Sequence, residues 1–123
     1  MKDVLKILND FWSSFGIPAW AENSVPDKAE LPYITYFIEK PDWASQASVY
    51  ARVWYSDTSF ASIAEKVGEI STRIGEGISL PSEDKGCIIL YKDTNFVQFM
   101  EDETSAGKNV KVAYLSLIQS VYM

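Results

Sequence analysis

Two stretches of the chain place apolar residues at intervals of three and four, which is the spacing of one helix face. The first stretch lies at the N-terminus, and Gly16 and Pro18 end its pattern. The second follows residues 56–59, whose side chains are typical of helix N-caps, and stops before Gly75 and Gly77. The apolar positions of these two predicted helices are Val4, Leu5, Leu8, Phe11, Trp12 and Phe15, and Phe60, Ile63, Val67, Ile70 and Ile74.

Other stretches are dense in aromatic and β-branched residues, which favour strands. Residues 92–95 have the composition of a tight turn, so the pattern predicts a hairpin between the strands on either side of them. The last stretch is almost free of charge, which indicates a strand covered on both faces over part of its length. The predicted strands cover residues 32–39, 48–55, 86–91, 96–101 and 110–122.

The order of these elements is α-β-β-α-β-β-β, which predicts an α+β fold. We expect one domain over residues 1–123, with two helices packed on a largely antiparallel, mixed sheet of about five strands. Residues 17–32 contain three prolines and predict an extended, irregular connection that lies against the body of the domain.

Alternation along residues 48–55 separates two faces of one strand. Valine and alanine residues fall on one face, and Tyr50, Arg52 and Trp54 fall on the other. Aromatic residues make up 14% of the chain, and a domain of this size cannot bury all of them. Because exposed apolar patches mark interaction sites, the composition predicts self-association or docking.

Composition excludes several kinds of site. The chain has no histidine and one cysteine, so it cannot form a Ser-His-Asp triad, a Cys-His pair or a histidine-ligated zinc site. Cys87 lies in an apolar run, and we expect it to be a small buried residue in a reducing compartment. No glycine pattern predicts nucleotide binding. We therefore expect no catalytic residue, cofactor or metal, and the chain is not predicted to be an enzyme.

The net charge of −6 argues against binding to duplex DNA or to an anionic membrane, because such proteins bind through positive patches. No apolar run approaches the about 20 residues of a membrane span, so we expect no membrane partner. The densest acidic cluster is Glu101, Asp102 and Glu103. It lacks the ligand spacing of a calcium loop, so a solvated loop or a loop shaped for assembly is favoured over a metal site.

Several segments together resemble one protein family. They are the N-terminal amphipathic helix, residues 17–20 and 25–26 of the connection, the strand opening at residues 31–36, the aromatic strand ending at residues 53–56, and the capped helix after it. In this order and spacing they are similar to the tail terminator (tail completion) proteins of long-tailed bacteriophages and prophages. The resemblance covers most of the chain.

The resemblance implies a non-enzymatic assembly protein that forms a ring, a hexamer in this family, at the end of the tail tube. Such a ring stops tube polymerisation and presents a surface for the head. The implied partners are further copies of the chain, the tail tube protein and a head-tail connector protein, first in the host cytoplasm and then at the head-proximal end of the tail. DNA passes through the channel of the ring without specific binding.

Within that expectation, Tyr50, Arg52 and Trp54 are predicted to lie on or beside the subunit interface. The cluster from Glu101 to Glu103 is predicted to face the lumen or the tube, where negative charge repels the DNA backbone. The alternatives are another head-tail connector or minor tail component, or, from a different class, a small monomeric regulatory or ligand-binding domain. A small enzyme using carboxylates, tyrosine and lysine is a further alternative.

Overall fold

Two helices and six strands form within the part of the chain that the computed structural model describes, residues 4–39, 46–56, 59–82, 86–101 and 110–122. The elements in chain order are α1 (Val4–Ser13), β1 (Ala19–Ala21), a 3-10 turn (Glu22–Ser24), β2 (Tyr33–Glu39), β3 (Gln46–Ser56), α2 (Ala61–Ile74), β4 (Ile78–Pro81), β5 (Cys87–Glu101) and β6 (Val110–Tyr122). The predicted α+β class is confirmed.

The described strands form one curled sheet in the order β1-β2-β3-β6-β5-β4. Only the β1–β2 pair among them is parallel, so the sheet is mixed but largely antiparallel. Strand β6 pairs with β3 on one side and with β5 on the other. This central position explains why residues 110–122 carry so little charge.

Both helices pack on the same face of the sheet. Their apolar stripes join alternate residues of the strands in one buried cluster, because side chains on a strand point to opposite faces in turn. The fully buried centre includes Trp12 of α1, Ile63 and Ile70 of α2, and Val53 and Leu115 of the sheet. The apolar positions predicted for the two helices are therefore core positions, with the exception of Leu5 and Phe60, which are exposed.

Polar contacts at the helix ends hold the two helices together. The Arg73 guanidinium lies over the rings of Phe11 and Phe15, 5.6 and 5.3 Å from their centroids, and donates a hydrogen bond to Ser14 Oγ at 2.6 Å. Lys66 Nζ donates to the Phe15 carbonyl at 2.7 Å. The C-terminal end of α1 and the residues just after it are therefore held against α2. Arg73 makes cation–π contacts with two rings, and Lys66 binds a backbone carbonyl beyond the helix end.

The start of α2 agrees only in part with the predicted capping segment. Asp57 and Thr58 lie outside the described residues. The N-cap position is occupied by Phe60, which makes no side-chain capping bond. The Ser59 hydroxyl accepts a hydrogen bond from the Ala61 amide at 3.2 Å, so it satisfies one amide that the helix itself leaves open.

The predicted hairpin at residues 92–95 is wrong. Residues 87–101 form the single strand β5, and its two halves pair with the same neighbour, β6. The turn-like residues are absorbed in a register shift between Lys92 and Val97. Asp93 Oδ1 accepts a hydrogen bond from the Thr94 amide at 2.7 Å, which satisfies the local backbone without reversing the chain.

The strand count also differs from the predicted five. Strands β1 and β4 have three and four residues, too few to display an alternating pattern. Strand β1 lies inside the proline-containing connection, and the Ile34 amide donates to the Pro18 carbonyl at 2.8 Å just ahead of it. The prediction that this connection lies against the body is confirmed, because Ala19 is buried and Ile17 packs on the core.

A buried hydroxyl ties α1 to the sheet. Tyr36 is 4% exposed, and its hydroxyl donates a hydrogen bond to Asn9 Oδ1 at 3.0 Å. Burial raises the pKa of Tyr36 above its ordinary value of 10.0, and the nearby Asp10 carboxylate raises this pKa further. Both effects disfavour the phenolate in the folded protein.

We expect Tyr36→Phe to lower the free energy of unfolding at pH 7 by about 1 kcal/mol, through loss of the hydrogen bond to Asn9. The folded protein holds the Tyr36 proton more tightly than the unfolded chain does. The stability from this group is therefore complete below pH 10.0 and is lost as the pH rises through the raised pKa. Denaturation curves between about pH 7 and pH 11 should show a shallower alkaline loss for the variant than for the wild type.

The matched control is Tyr122→Phe, because Tyr122 is 54% exposed. This variant should follow the wild-type stability at every pH. If Tyr36→Phe and the wild type lose stability in parallel at alkaline pH, the account of Tyr36 is wrong.

Candidate functional site

The sheet face opposite the helices is the main candidate surface for function. We call it the helix-free face and define it as the odd-numbered residues of β2 and the even-numbered residues of β3 and β6. The helices of the described chain pack on the other face. Most side chains of the helix-free face are half-buried, and Glu39 and Arg52 are the charged residues among these positions of the described strands.

The alternation predicted for β3 is observed. Val49 and Val53 are buried against the helices, and Tyr50, Arg52 and Trp54 lie half-buried on the helix-free face. The structure therefore brings the three predicted interface residues onto one surface, on a strand two positions from the sheet edge. Their predicted role at a subunit interface stays a prediction.

Aromatic rings cover one end of the helix-free face. Trp20 of β1 contacts Tyr33 of β2 with a centroid separation of 5.5 Å, and Tyr33 contacts Trp54 of β3 at 6.2 Å. The Trp54 Nε1 group donates a hydrogen bond to Thr35 Oγ1 at 3.1 Å, which fixes the orientation of the indole. Three neighbouring strands thus contribute rings to one continuous surface.

A second aromatic pair lies farther along the same strands. Phe37 of β2 and Tyr50 of β3 are cross-strand partners, and their rings are stacked with centroids 5.0 Å apart and planes 27° apart. Such cross-strand pairs stabilise a sheet and also hold large rings in fixed positions. The rings are therefore preorganised for contact with another surface.

Arg52 is held by two neighbours on this face. Its guanidinium forms an ion pair with Glu22 of the 3-10 turn and lies over the Tyr114 ring, 5.1 Å from the centroid. The Arg52 and Glu22 side chains are each 35% exposed. The positive charge of Arg52 is thus already compensated by the Glu22 carboxylate, and its guanidinium lies over the Tyr114 ring. Both contacts make Arg52 a poor ligand for a phosphate backbone.

The register shift in β5 produces a polar cavity of about 290 Å³ beside Tyr50. The backbone of residues 93–95 leaves the regular ladder there and comes to border the helix-free face. The cavity is lined by Tyr50, Asp93, Thr94, Asn95, Gln98, Tyr114 and Ser116. Sequence reasoning placed these β5 residues in a hairpin turn and so missed their position next to the face.

Only one member of the predicted acidic cluster is described. Glu101 ends β5 and forms an ion pair with its cross-strand partner Lys111, while Asp102 and Glu103 lie outside the described residues. The Lys111 side chain is 4% exposed, and its Nζ lies 5.3 Å from the centroid of the Phe60 ring. The Glu101 carboxylate therefore compensates a nearly buried ammonium group and is not a free negative charge.

The strands as a group carry no net charge. The described strands contain three basic residues and three acidic ones, namely Arg52, Lys92 and Lys111, and Glu39, Asp93 and Glu101. The net charge of the whole chain is −6. The two helices are also neutral, so the acidic surplus lies entirely in the connections between helices and strands.

Other groups that could carry chemistry are sparse in the described part of the chain. No cluster of three or more His, Cys, Asp or Glu residues able to hold a metal ion occurs among those residues. Cys87 is half-buried, which differs from the fully buried position expected.

Burial raises the pKa of Tyr55 above its ordinary value. The Lys66 charge opposes this increase, and the Glu69 and Glu65 carboxylates add to it. Within the described ranges, no helix has the length and apolarity needed to cross a membrane.

Several residues of the site were not found by sequence reasoning. Tyr33 and Phe37 could have been found, because both alternate with the buried residues of their strand. Trp20 and Glu22 could not, since they come from an irregular connection whose position depends on the folded chain. No protein-family model matches the sequence, and a search of curated proteins finds no match to it.

We expect Glu101→Gln to lower the free energy of unfolding by about 1–3 kcal/mol, because it leaves the nearly buried Lys111 ammonium without an anionic partner. Lys111→Met should cost less than Glu101→Gln, since methionine fills the same space and removes the buried charge. The double variant should match Lys111→Met alone. Chemical denaturation of all four proteins gives this cycle.

The result would contradict this account if Glu101→Gln were neutral while Lys111→Met was strongly destabilising. That outcome would mean that the ammonium is stabilised by the Phe60 ring and not by the carboxylate. Glu76→Gln, an exposed position after α2, is the control for loss of one negative charge.

Proposed function

We propose that this chain is a subunit of a tail terminator ring of a long-tailed bacteriophage or prophage. In this role it caps the finished tail tube, ends tube polymerisation and presents the surface that joins the head. The observation that carries the proposal is the helix-free face, an aromatic and nearly uncharged surface on a chain with a net charge of −6. A surface of this kind suits contact with other protein subunits.

The one-sided packing of the domain supports this role. A sheet with helices on one face leaves the other face to water or to a partner. Here the exposed side of the sheet has Trp20, Tyr33 and Trp54 in contact and Phe37 stacked on Tyr50. Tyrosine and tryptophan are enriched in protein interfaces, so we place Tyr50, Arg52 and Trp54 on or beside a subunit contact.

The distribution of charge supports DNA passage without binding. Arg52 is paired with Glu22, and Lys111 is paired with Glu101, so these two cations of the sheet are already compensated. The acidic surplus lies outside the strands, which leaves connections such as the one that follows Glu101 to supply negative charge to a channel. Negative charge along a channel repels the DNA backbone.

The proposed partners follow from the position of such a ring. They are further copies of this chain, six in the family that it resembles, the tail tube protein on one side and a head-tail connector protein on the other. The subunit is made in the host cytoplasm and ends at the head-proximal end of the tail in the virion.

Removal of the protein from the assembling virion tests the proposal. Electron microscopy of the resulting particles should show overlong tails beside filled heads, because nothing stops tube growth. Heads that fail to retain DNA would instead indicate a connector. Normal virions together with a monomeric protein at every concentration would favour the regulatory or ligand-binding alternative.

A substitution on the helix-free face tests the surface that carries the proposal. We expect Trp54→Glu to abolish complementation of the tail-length defect, because it introduces a charge at the centre of a contact surface. Trp54→Phe should keep most of the activity. Ser62→Glu, on the exposed side of α2, is the control for an added charge on the helical side. Full activity of folded Trp54→Glu would rule this face out as a contact surface.

A further inference from the structure

At each lateral edge of the sheet, the short outermost strand covers only part of the longer strand next to it. The rest of that longer strand is unpaired on its outer side within the described residues. Strand β1 pairs with the outer side of β2 at residues 34–36, so residues 37–39 of β2 have no described strand on that side. Strand β4 pairs with the outer side of β5 at residues 87–90, so residues 97–101 of β5 likewise have no described strand on their outer side. We call these two segments the β2 open edge and the β5 open edge.

The two open edges run in opposite directions. Strand β5 is antiparallel to β6, β6 to β3, and β3 to β2, so β5 runs antiparallel to β2. A second copy related by rotation can therefore place its β5 open edge against the β2 open edge of the first as an antiparallel pair. The sheet then continues with the helices of both copies on the same side.

Exposed apolar side chains are concentrated at these two edges. Of the five large hydrophobic residues exposed in the described chain, four flank an open edge: Leu5 at the β2 edge, and Phe60, Phe99 and Met100 at the β5 edge. Leu5 is 66% exposed, whereas Phe99 and Met100 are 41% and 48% exposed. Exposed residues of this size rarely cluster by chance on a monomer.

The two edges also match face by face. At the β2 open edge a groove of about 430 Å³ is lined by Leu5, Ile38 and Phe37, together with Glu22 and Asn23 of the 3-10 turn. Ile38 lies on the helix side of the strand, and Phe37 lies on the helix-free face. At the β5 open edge Phe99 points to the helix side, where it contacts Phe60, and Met100 points to the helix-free face. Each apolar side chain of one edge thus has an apolar counterpart on the same face of the other.

The β5 open edge lacks the usual devices that protect an edge strand. Residues 97–101 contain no proline and no lysine, and their one charge, on Glu101, is paired with Lys111. Natural proteins normally blunt such an edge with charge, proline or a covering element. Strand β4 has Pro81 on its own edge, whereas residues 97–101 have no proline.

We propose that copies of this chain join head to tail through these edges, the β5 open edge of one copy pairing antiparallel with the β2 open edge of the next. Phe99 then enters the groove beside Leu5 and Ile38, and Met100 packs beside Phe37. The inference deepens the proposed function, because it rests on the ring and assigns the contact that builds it. A contact between two different surfaces closes into a ring when the rotation between copies divides the circle.

The two open edges lie at different levels along the strand direction. Through the register of the sheet, residues 37–39 are level with residues 116–118 of β6, and residues 97–101 are level with residues 111–115. Joining them displaces each copy along the strand direction relative to its neighbour. A closed ring accommodates this displacement when its strands tilt against the ring axis, as the strands of a β-barrel do.

Two single substitutions test the head-to-tail contact. Leu5→Glu disables only the β2 edge, and Phe99→Glu disables only the β5 edge. Each variant alone should have the mass of a monomer by native mass spectrometry under conditions where the wild type forms a ring. An equimolar mixture should give a one-to-one dimer, because one intact edge of each kind remains and the other junction brings two glutamates together.

Matched controls accompany these variants. Thr72→Glu adds a charge on the exposed side of α2, outside both open edges and the helix-free face, and should keep the wild-type mass. Met100→Glu provides a second disabling change of the β5 edge if Phe99→Glu alters the fold by circular dichroism. The masses are measured over a range of protein concentrations and again on purified tail tubes.

Four outcomes are decisive. Rings formed by both Leu5→Glu and Phe99→Glu overturn the edge contact and leave the proposed function intact. Rings formed by Leu5→Glu but not by Phe99→Glu indicate that the β5 open edge contacts a surface other than the β2 open edge, and they also overturn it. A wild type that stays monomeric in solution and on tubes removes both proposals. Rings broken as expected, together with normal tail length in particles lacking the protein, support the edge contact and overturn the tail terminator function.

Discussion

The pairing of β3 with β6 along all 11 residues of β3 is the constraint on which the rest of the molecule depends. Strands β2 and β1 build outward from one side of this ladder, and β5 and β4 from the other. Because β6 has 13 residues, it offers a partner to residues on both sides of the turn-like segment 92–95. The continuous strand β5, the polar cavity beside Tyr50 and the open edge at residues 97–101 all follow from that length.

A second consequence is the contrast between the two faces of the sheet. One face is sealed by both helices, so its side chains form the core. The other face has to satisfy its own polar groups locally, as Trp54 does through Thr35 and Arg52 does through Glu22. These contacts fix the side chains in place but leave them half-buried. Large rings that are already immobilised lose little conformational entropy when a partner covers them, which favours binding.

The parts of the fold that sequence predicted are those governed by local periodicity. The stripe ending at Ile74 and the alternation around Arg52 could be read from spacing alone, and so could the placement of Tyr50 and Trp54 on one face. The hairpin was wrong because turn composition cannot show whether a long neighbouring strand will pair with both flanks. The ion pairs of Arg52 and Lys111 escaped prediction, since each joins residues that only the register of the folded sheet brings together.

The net negative charge of the chain lies outside the sheet, and this distribution serves both subunit assembly and DNA passage in the proposed ring. Copies that each carry a net charge of −6 repel one another, and this repulsion is smallest where their contact surfaces carry no net charge. The strands meet that condition because their three basic and three acidic residues balance. The surplus of negative charge lies on the connections, from where it repels passing DNA over a screening length of about 10 Å. Assembly through neutral strands and repulsion of DNA by an acidic remainder are therefore compatible in one small subunit.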